Sequence, residues 1–591
     1  QMRDLLFKKE NGQGYVEDKP VPPANLDVSE QIVEDGLGSG NMYWMNNGYK
    51  DGEDDDHRYV LKSDTTIKVD LSNPKTLTYG GNQGANVANI IWGDPDYTAD
   101  GFIDMNGHKL TLVSEANHLR HYASGILSHG GDLEIKNAAG IDIDIHGDKN
   151  AKSGIYVWGQ GRNGASLTIS NDNQAEHAVK IRNTAAEKDA AILVDGRSVK
   201  DGGSAKLVIK GLVDVENDDV SVIQANKGDV SIGGGKIIAK GDKASSLKIN
   251  NDGKIQINGN LSDRNVLTAG AVKHDVQIEG NVLAQKGRLG LVLNTDGSYI
   301  KGLIGTDAGT AGQTYMMLSD GASWYHEGKG ARTDGIKESK IKNLEADGGN
   351  IYQKNEKPIT IENYKGNMKL FYKHENAGTK AADYKAGNTY IGSAAEGSHI
   401  TVVTDRSNIN TDNEDQVYEV LNALAGKLYY DAYKTGEEKL TGQATIAEGL
   451  TSSSQTVKMK DMLFKKENGQ GYVQGKPTPP PLVNPVRHQI VEANYFAEEA
   501  RDFWSKAGVY DGKGHYKFDH DLSLVTHAED DPVTTVNDNK FGNIYWNGDV
   551  VGGIDMTGHR LELKSITERL PKKNPNAITV YSGTLTIKNV N

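Results

Sequence analysis

Apolar residues in this chain fall in short alternating triplets, not in long runs. Leu133-Glu134-Ile135, Leu167-Thr168-Ile169, Leu207-Val208-Ile209, Val230-Ser231-Ile232, Ile255-Gln256-Ile257, Val276-Gln277-Ile278 and Leu291-Val292-Leu293 all follow this form. Each puts two apolar side chains on one face and the middle residue on the other, the mark of a half-buried strand. From Leu207 onward the triplets start 23, 25, 21 and 15 residues apart, about one coil of a β-solenoid. Asp201-Gly202-Gly203, Asn251-Asp252-Gly253 and Thr295-Asp296-Gly297 supply turns that tolerate positive φ. A sandwich of antiparallel hairpins would need tight two-residue connections more often. The expectation is an all-β chain with a parallel, right-handed β-helix (solenoid) over about 100–325. Leu207, Val230, Ile255 and Val276 should stack in neighbouring coils and point inward.

After Trp324 the pattern changes. Residues 325–400 hold fewer clean alternations, and Val417, Val420, Leu421, Leu424 and Leu428 then recur at helical spacing. A small helix is expected within 412–430, with Asp412 or Asn413 placed as its N-cap. One amphipathic helix suits a lid over an open end or side of a solenoid, where backbone groups would otherwise lack partners.

A repeat of long period organises the whole. DLLFKKENGQGYV at 4–16 recurs as DMLFKKENGQGYV at 461–473, an offset of 457. Both copies run into proline-rich stretches, at 20–23 and 477–481, which favour extended linkers. The match continues from 31–34 to 489–492, from 89–92 to 543–546, from 103–110 to 554–561, and from 133–137 to 585–589. The expected division is a repeated motif with a proline-rich linker at 1–30 and a β-helix at 31–325. An irregular part with one helix follows at 326–460. A second motif and linker occupy 461–488, and 489–591 opens a second β-helix unit.

Composition narrows the function classes. Hydrophobic residues make up 36% and glycine 69 of 591 residues, which suits a fold of many short strands with little bulk core. The net charge of −14 argues against nucleic acid and anionic membrane as principal partners. No run is long enough to span a bilayer, and Gln1-Met2-Arg3 opens no signal peptide, so the chain reads as a piece of a longer protein. The absence of cysteine removes disulfides, thiolate catalysis and Cys-based metal sites, and fits an exported chain.

The run from Ile361-Glu362-Asn363-Tyr364 to Leu370-Phe371-Tyr372-Lys373-His374 resembles a segment of large autotransporter passengers. So do Val420-Leu421-Asn422-Ala423-Leu424-Ala425-Gly426-Lys427-Leu428-Tyr429-Tyr430, Leu440-Thr441-Gly442 and Ile446-Ala447-Glu448-Gly449-Leu450-Thr451. The family is the type V secreted autotransporters of anaerobic Gram-negative bacteria, and the resemblance covers roughly 350–465. It implies a passenger at the bacterial surface, extracellular, held at the outer membrane by a C-terminal barrel outside this chain. Two-partner-secreted exoproteins share the solenoid.

Candidate chemistry is sparse. No Gly-Asp-Ser-Gly context marks a serine nucleophile, and no Gly-x-Ser-x-Gly sits on a strand-to-helix turn. His108 and His559 recur between copies at a strand edge, which suits a structural turn. Asp142 and Asp144 should share the outer face of one strand, and Asn217-Asp218-Asp219 marks a turn; either could serve a polysaccharide-cleaving site only with partners on a neighbouring coil. Glu53-Asp54-Asp55-Asp56 with His57 lacks the glycine and terminal glutamate of a calcium loop, and the second copy reads Asp511-Gly512-Lys513-Gly514-His515. Lys227-Gly228-Asp229 and Lys240-Gly241-Asp242 resemble an integrin-directed tripeptide but follow from composition. The expectation is a non-enzymatic adhesin with no catalytic residue, no metal and no cofactor. Its partners would be host extracellular-matrix protein, glycan or a neighbouring bacterial surface, with self-association. A polysaccharide-cleaving enzyme on the same scaffold, and a stalk presenting a head elsewhere, are the alternatives.

Overall fold

Isoleucine, valine and leucine at every second position, with lysine, threonine or aspartate between them, leave the chain one economical option. It pairs as strands and turns the apolar face away from water. The computed structural model describes residues 56–475 with short gaps, chiefly 71–85, 94–99, 306–311, 374–382 and 447–459. It also describes strand segments between 5 and 34 and between 491 and 591. The described residues are mostly strand, with one α-helix, so the chain is all-β and built on parallel sheets. It divides into two compact units, residues 1–315 with 329–336, and residues 316–328 with 337–591.

In the first unit the chain visits three parallel stacks in turn. Stack one holds Asp100–Asp104, Gly131–Ala138, Ala165–Asn171, the first halves of Ala205–Asn217 and Asp229–Ala239, then Gly253–Ile257 and Gly287–Leu293. Stack two holds Leu110–Glu115, Ile141–His146, Val179–Asn183, the second halves of the same two long strands, Val276–Glu279 and Tyr299–Lys301. Stack three is an eight-stranded sheet running from Asn86–Trp92 to Ile304–Gly305. Along stack one, Ile103, Ile135, Ile169, Ile209, Ile232, Ile257 and Leu291 pair in one row and all are buried. Burying each such side chain contributes about 1.5–3 kcal/mol. The long strand Asp229–Ala239 bends from stack one into stack two at Gly235, where φ is +106° and a Cβ would lie 2.1 Å from the Val213 carbonyl oxygen. Only glycine fits there.

Buried asparagines hold the corners. Asn89 donates to the Ile67 and Val113 carbonyls and accepts from the Ser114 hydroxyl. Asn217 donates to the Asp189 and Ser221 carbonyls, and Asn171 to those of His177 and Leu212. Asn171 and Asn217 end their strands and satisfy backbone groups that the bend takes out of the ladder, while Asn89, in mid-strand, ties its strand to those of Ile67 and Val113.

The register corrects one expectation. Leu207 pairs with Val230 and Val230 with Ile255, but Ile255 pairs with Leu289. Val276 is buried as expected yet lies in stack two beside Gly235. An antiparallel hairpin, Gly259–Leu261 with Leu267–Ala269, separates the stack-one strand from the stack-two strand of the same coil, so the next triplet in sequence is not the next coil of stack one.

In the second unit, Ser323–His326, Ser339–Gln353, Ile359–Tyr372, Thr389–Ala394, Ser398–Thr404, Leu428–Tyr430 and Leu440–Ile446 pair in parallel. Residues 326–460 were expected to be irregular, yet they hold two long strands of 15 and 14 residues. The helix runs Glu414–Ala425, inside the expected span, and the Asn413 side chain caps it by accepting from the Gln416 N–H. Its apolar face is buried at Val417, Val420, Leu421 and Leu424. The parallel order ends at Leu440–Ile446, where Lys460–Phe464 pairs antiparallel and Gly471–Val473 folds back on it. Among 491–591, strands again form three parallel sets: 491–492 with 522–527 and 561–566, 515–517 with 551–559 and 584–590, and 540–546 with 574–580. This is the strand order of residues 33–138. The proline-rich stretches at 20–23 and 477–481 lie outside the described residues.

Candidate binding surface

Parallel register turns the outward residues of stack two into rows. Asp142 and Asp144 do share the outer face of their strand. Asp142 lies beside Lys180 and Asp144 beside Arg182 on the next strand; Lys180 then faces Asp214, and Asp214 faces Lys236. Glu279 lies beside Lys301. Acid and base alternate over the four strands from Asp142 to Lys236, and the row then continues to Gln277. Arg182 bridges Asp214 at 3.0 Å and Glu216 at 3.2 Å, and Lys240 reaches Glu216 at 2.5 Å. Burial alone would raise the Glu279 carboxyl, but Lys301, with contacts from Lys329 and the Tyr299 hydroxyl, holds it below the usual carboxylate range.

These rows place the candidate carboxylates. Lys109 binds Asp142 at 2.5 Å, and His146 approaches Asp144 at 3.5 Å. Asn217 belongs to a corner, with its side-chain oxygen accepting the Asp219 N–H, while Lys188 binds Asp218 at 2.8 Å. His108 closes the turn after Met105 and faces Asp64 at 3.6 Å. Both Lys-Gly-Asp tripeptides are tight turns: a Cβ on Gly228 would meet the Val194 side chain at 2.6 Å, and one on Gly241 the Asp218 carbonyl at 2.1 Å. Residues 53–55 and 511–514, and the side chains of His57 and His559, lie outside the described residues. Among the described residues no group of three or more His, Asp or Glu is placed to hold a metal ion, and no helix is long and apolar enough to cross a membrane.

Among the described residues, a serine hydroxyl meets a histidine ring in the second unit. His326 Nδ1 meets the Gln353 side-chain oxygen, which only accepts, so Nδ1 carries the proton and Nε2 accepts from the Ser339 hydroxyl at 2.8 Å. Gln353 in turn donates to the Lys357 and Gly387 carbonyls. Burial pushes the His326 imidazole down to about 4, Gln353 opposing and the Lys357 charge adding. All three side chains are buried, and the third member is an amide where a triad needs a carboxylate. The group is a structural clasp.

The polar regularity breaks on the outer face of stack three. Ile91, Leu127, Tyr156 and Leu193 lie in one row there, the last three nearly buried. Beside them the His129 and Trp158 rings stack at 4.4 Å, with Tyr156 parallel to Trp158 at 5.7 Å. Trp158 sits level with Asp195 on the next strand, and the Arg197 guanidinium grips both Asp195 oxygens at 2.6–3.1 Å. Burial, with the Asp195 and Asp189 charges, raises the Tyr156 phenol, so it stays a neutral donor. Half-buried rings beside an exposed guanidinium form a platform for an apolar face flanked by hydroxyls. Sequence reasoning missed it. Its signal was present, since in Ile155-Tyr156-Val157-Trp158 the outward positions are aromatic where other strands carry polar residues.

No protein-family model, curated protein or solved structure matches the chain.

Proposed function

We propose that this chain is a β-helix passenger displayed outside a Gram-negative bacterium, and that it acts as an adhesin. The β-helix reading is supported by three parallel stacks entered in a fixed order, with rows of isoleucine turned inward. The adhesin reading rests on one observation. The outward carboxylates Asp142, Asp144, Asp214, Glu216 and Glu279 of stack two each have a lysine or arginine on the adjacent strand, and Glu115 has His146. Charges held in this way fix the shape of a surface and are poorly suited to shuttle protons. A row repeats similar contacts at strand spacing, so a partner with its own repeats gains avidity from many weak contacts. On stack three, a different face, the Trp158, His129 and Arg197 platform adds one apolar anchor. The partners proposed are an extracellular-matrix protein, a glycan or the surface of a neighbouring bacterium.

The test is a binding screen of the chain against immobilised matrix proteins, glycans and whole bacterial cells. Saturable attachment that strengthens when the chain is clustered on beads supports the reading. New reducing ends released from a polysaccharide would replace it with a glycan-cleaving enzyme. A folded chain that attaches to nothing would leave it a stalk.

A further inference from the structure

The repeated motif forms the same object twice. At 461–473 it is a hairpin in which Met462 pairs with Val473, Leu463 with Tyr472 and Phe464 with Gly471. At 4–16 Leu5 pairs with Val16, Leu6 with Tyr15 and Phe7 with Gly14, the same register. The two sequences differ at one position, Leu5 against Met462.

The later hairpin closes the parallel set of the second unit. Its first strand adds antiparallel to Leu440–Ile446, with Met462 opposite Gly442. Met462, Phe464 and Val473 are buried, and the Phe464 ring meets Tyr430 at 5.5 Å and Tyr433 at 5.6 Å. Gln470 donates to the Gly426 carbonyl at the helix C-terminus, and the Val473 N–H donates to the Asn422 side chain. Close approach fixes two glycines: a Cβ on Gly469 would lie 2.3 Å from the Tyr430 carbonyl oxygen, and one on Gly471 2.3 Å from that of Ala425. Every feature that makes this fit has its counterpart in the first motif, at Leu5, Phe7, Gly12, Gln13, Gly14 and Val16. Among the described strands, Leu5–Phe7 and Gly14–Val16 pair only with each other.

We propose that the hairpin of residues 4–16 docks on the edge strand Leu440–Ile446 and helix Glu414–Ala425 of a second copy of this chain, replacing that copy's residues 461–473. The mode is strand addition with a side-chain anchor, Phe7 in the place of Phe464. Donor and acceptor surfaces differ, so the contact is head-to-tail and passes from copy to copy.

The chain of residues 1–591 tests this. Phe464→Asp should eject the internal hairpin and open the edge, and sedimentation velocity should then show oligomers that grow with concentration. Adding Phe7→Asp to the same chain should return it to wild-type size. Equal sedimentation of the single and double variants overturns the proposal, whether both associate or neither does. Should Phe464→Asp lose its β circular-dichroism signal, Gly471→Ala, alone and with Gly14→Ala, replaces that pair. A labelled peptide of residues 1–16 gives a second reading by fluorescence anisotropy. It should bind the double variant at least tenfold more tightly than wild type, and the Phe7→Asp peptide should not bind. Equal binding of both peptides overturns the docking.

Discussion

Asn137 donates its side-chain amide to the Asp104 carboxylate, 2.9 Å away on the preceding strand of the same stack. Asn589 makes the same bond to Asp555 at 2.8 Å, and both asparagines hold φ at +54°. A left-handed residue after an outward lysine makes a bulge one residue before the strand ends, and its side chain ties that bulge to the strand before it. The second copy rebuilds this clasp because both of its partners recur.

Asn137→Ala should therefore lose twice. It gives up an exposed hydrogen bond and forces a Cβ-bearing residue without a polar tip into left-handed backbone, at a combined cost of about 2 kcal/mol. Asn137→Gly keeps the backbone at ease and should lose about half as much. Urea denaturation of the two variants checks the order, and an alanine variant as stable as the glycine one would show that the clasp does little.

A deeper corner is held by Asn281, which is fully buried. It donates to the Ala331 carbonyl and the Thr333 hydroxyl at 3.0 and 2.9 Å, and accepts from the Leu303 and Lys329 N–H groups. Asn281→Ala leaves the buried Leu303 N–H and the part-buried Lys329 N–H and Ala331 carbonyl without that partner, a cost of about 3 kcal/mol. Segment 329–336 should loosen first. Trypsin cleavage at Lys329 or Arg332 should quicken at least tenfold, with little change at Lys109 or Lys180.

The strands themselves were legible, because two-residue alternation survives wherever one face is buried. Their assignment to stacks was not. Val276-Gln277-Ile278 has the form of a stack-one triplet, and nothing local distinguishes it; the hairpin at 259–269 sets it apart from the stack-one strand of its own coil, so it reads as a coil by itself. The long strand Ser339–Gln353 hid for another reason. Its buried residues step by two, but Lys342-Asn343 and Asp347-Gly348 each put two consecutive residues outward, so the phase slips twice. The strand continues through a shift of register at Asp347 and Gly349 that a search for clean alternation discards. The charge rows were equally hidden: Asp142 and Lys180 become neighbours only once the register is known.

The His326 clasp carries a pH dependence of fixed sign. Its imidazole titrates near 4 in the fold and at its ordinary 6.5 once unfolded, burial being the main cause. The neutral ring favours the fold fully above pH 6.5, and that contribution is lost as pH falls from 6.5 towards 4, a total of about 3 kcal/mol. Hydrogen exchange of the Ser339–Gln353 amides should accelerate over this window beyond the effect of pH on the chemical exchange rate. In His326→Gln the extra acceleration should vanish, and an unchanged profile would assign it to another group.

Attachment through rows and attachment through one site make opposite demands on mutation. If the surface binds as a set of similar contacts, each outward charge carries a small share, and its loss is shared among neighbours. Arg182→Ala removes a side chain that spans Asp214 and Glu216, yet the remaining rows persist, so attachment to the identified partner should weaken less than about threefold. Trp158→Ala removes the apolar anchor of stack three and should cost more, about tenfold. Replacing Lys180, Arg182, Lys236 and Lys240 together with glutamine removes the bases that face Asp142, Asp144, Asp214 and Glu216 and should abolish attachment, while the buried isoleucine rows keep the β circular-dichroism signal. Surface plasmon resonance at several densities of immobilised partner separates the readings, because row binding tightens with density and one-site binding does not. If a single substitution at either place removed attachment outright in a folded chain, the distributed surface would give way to a discrete site there.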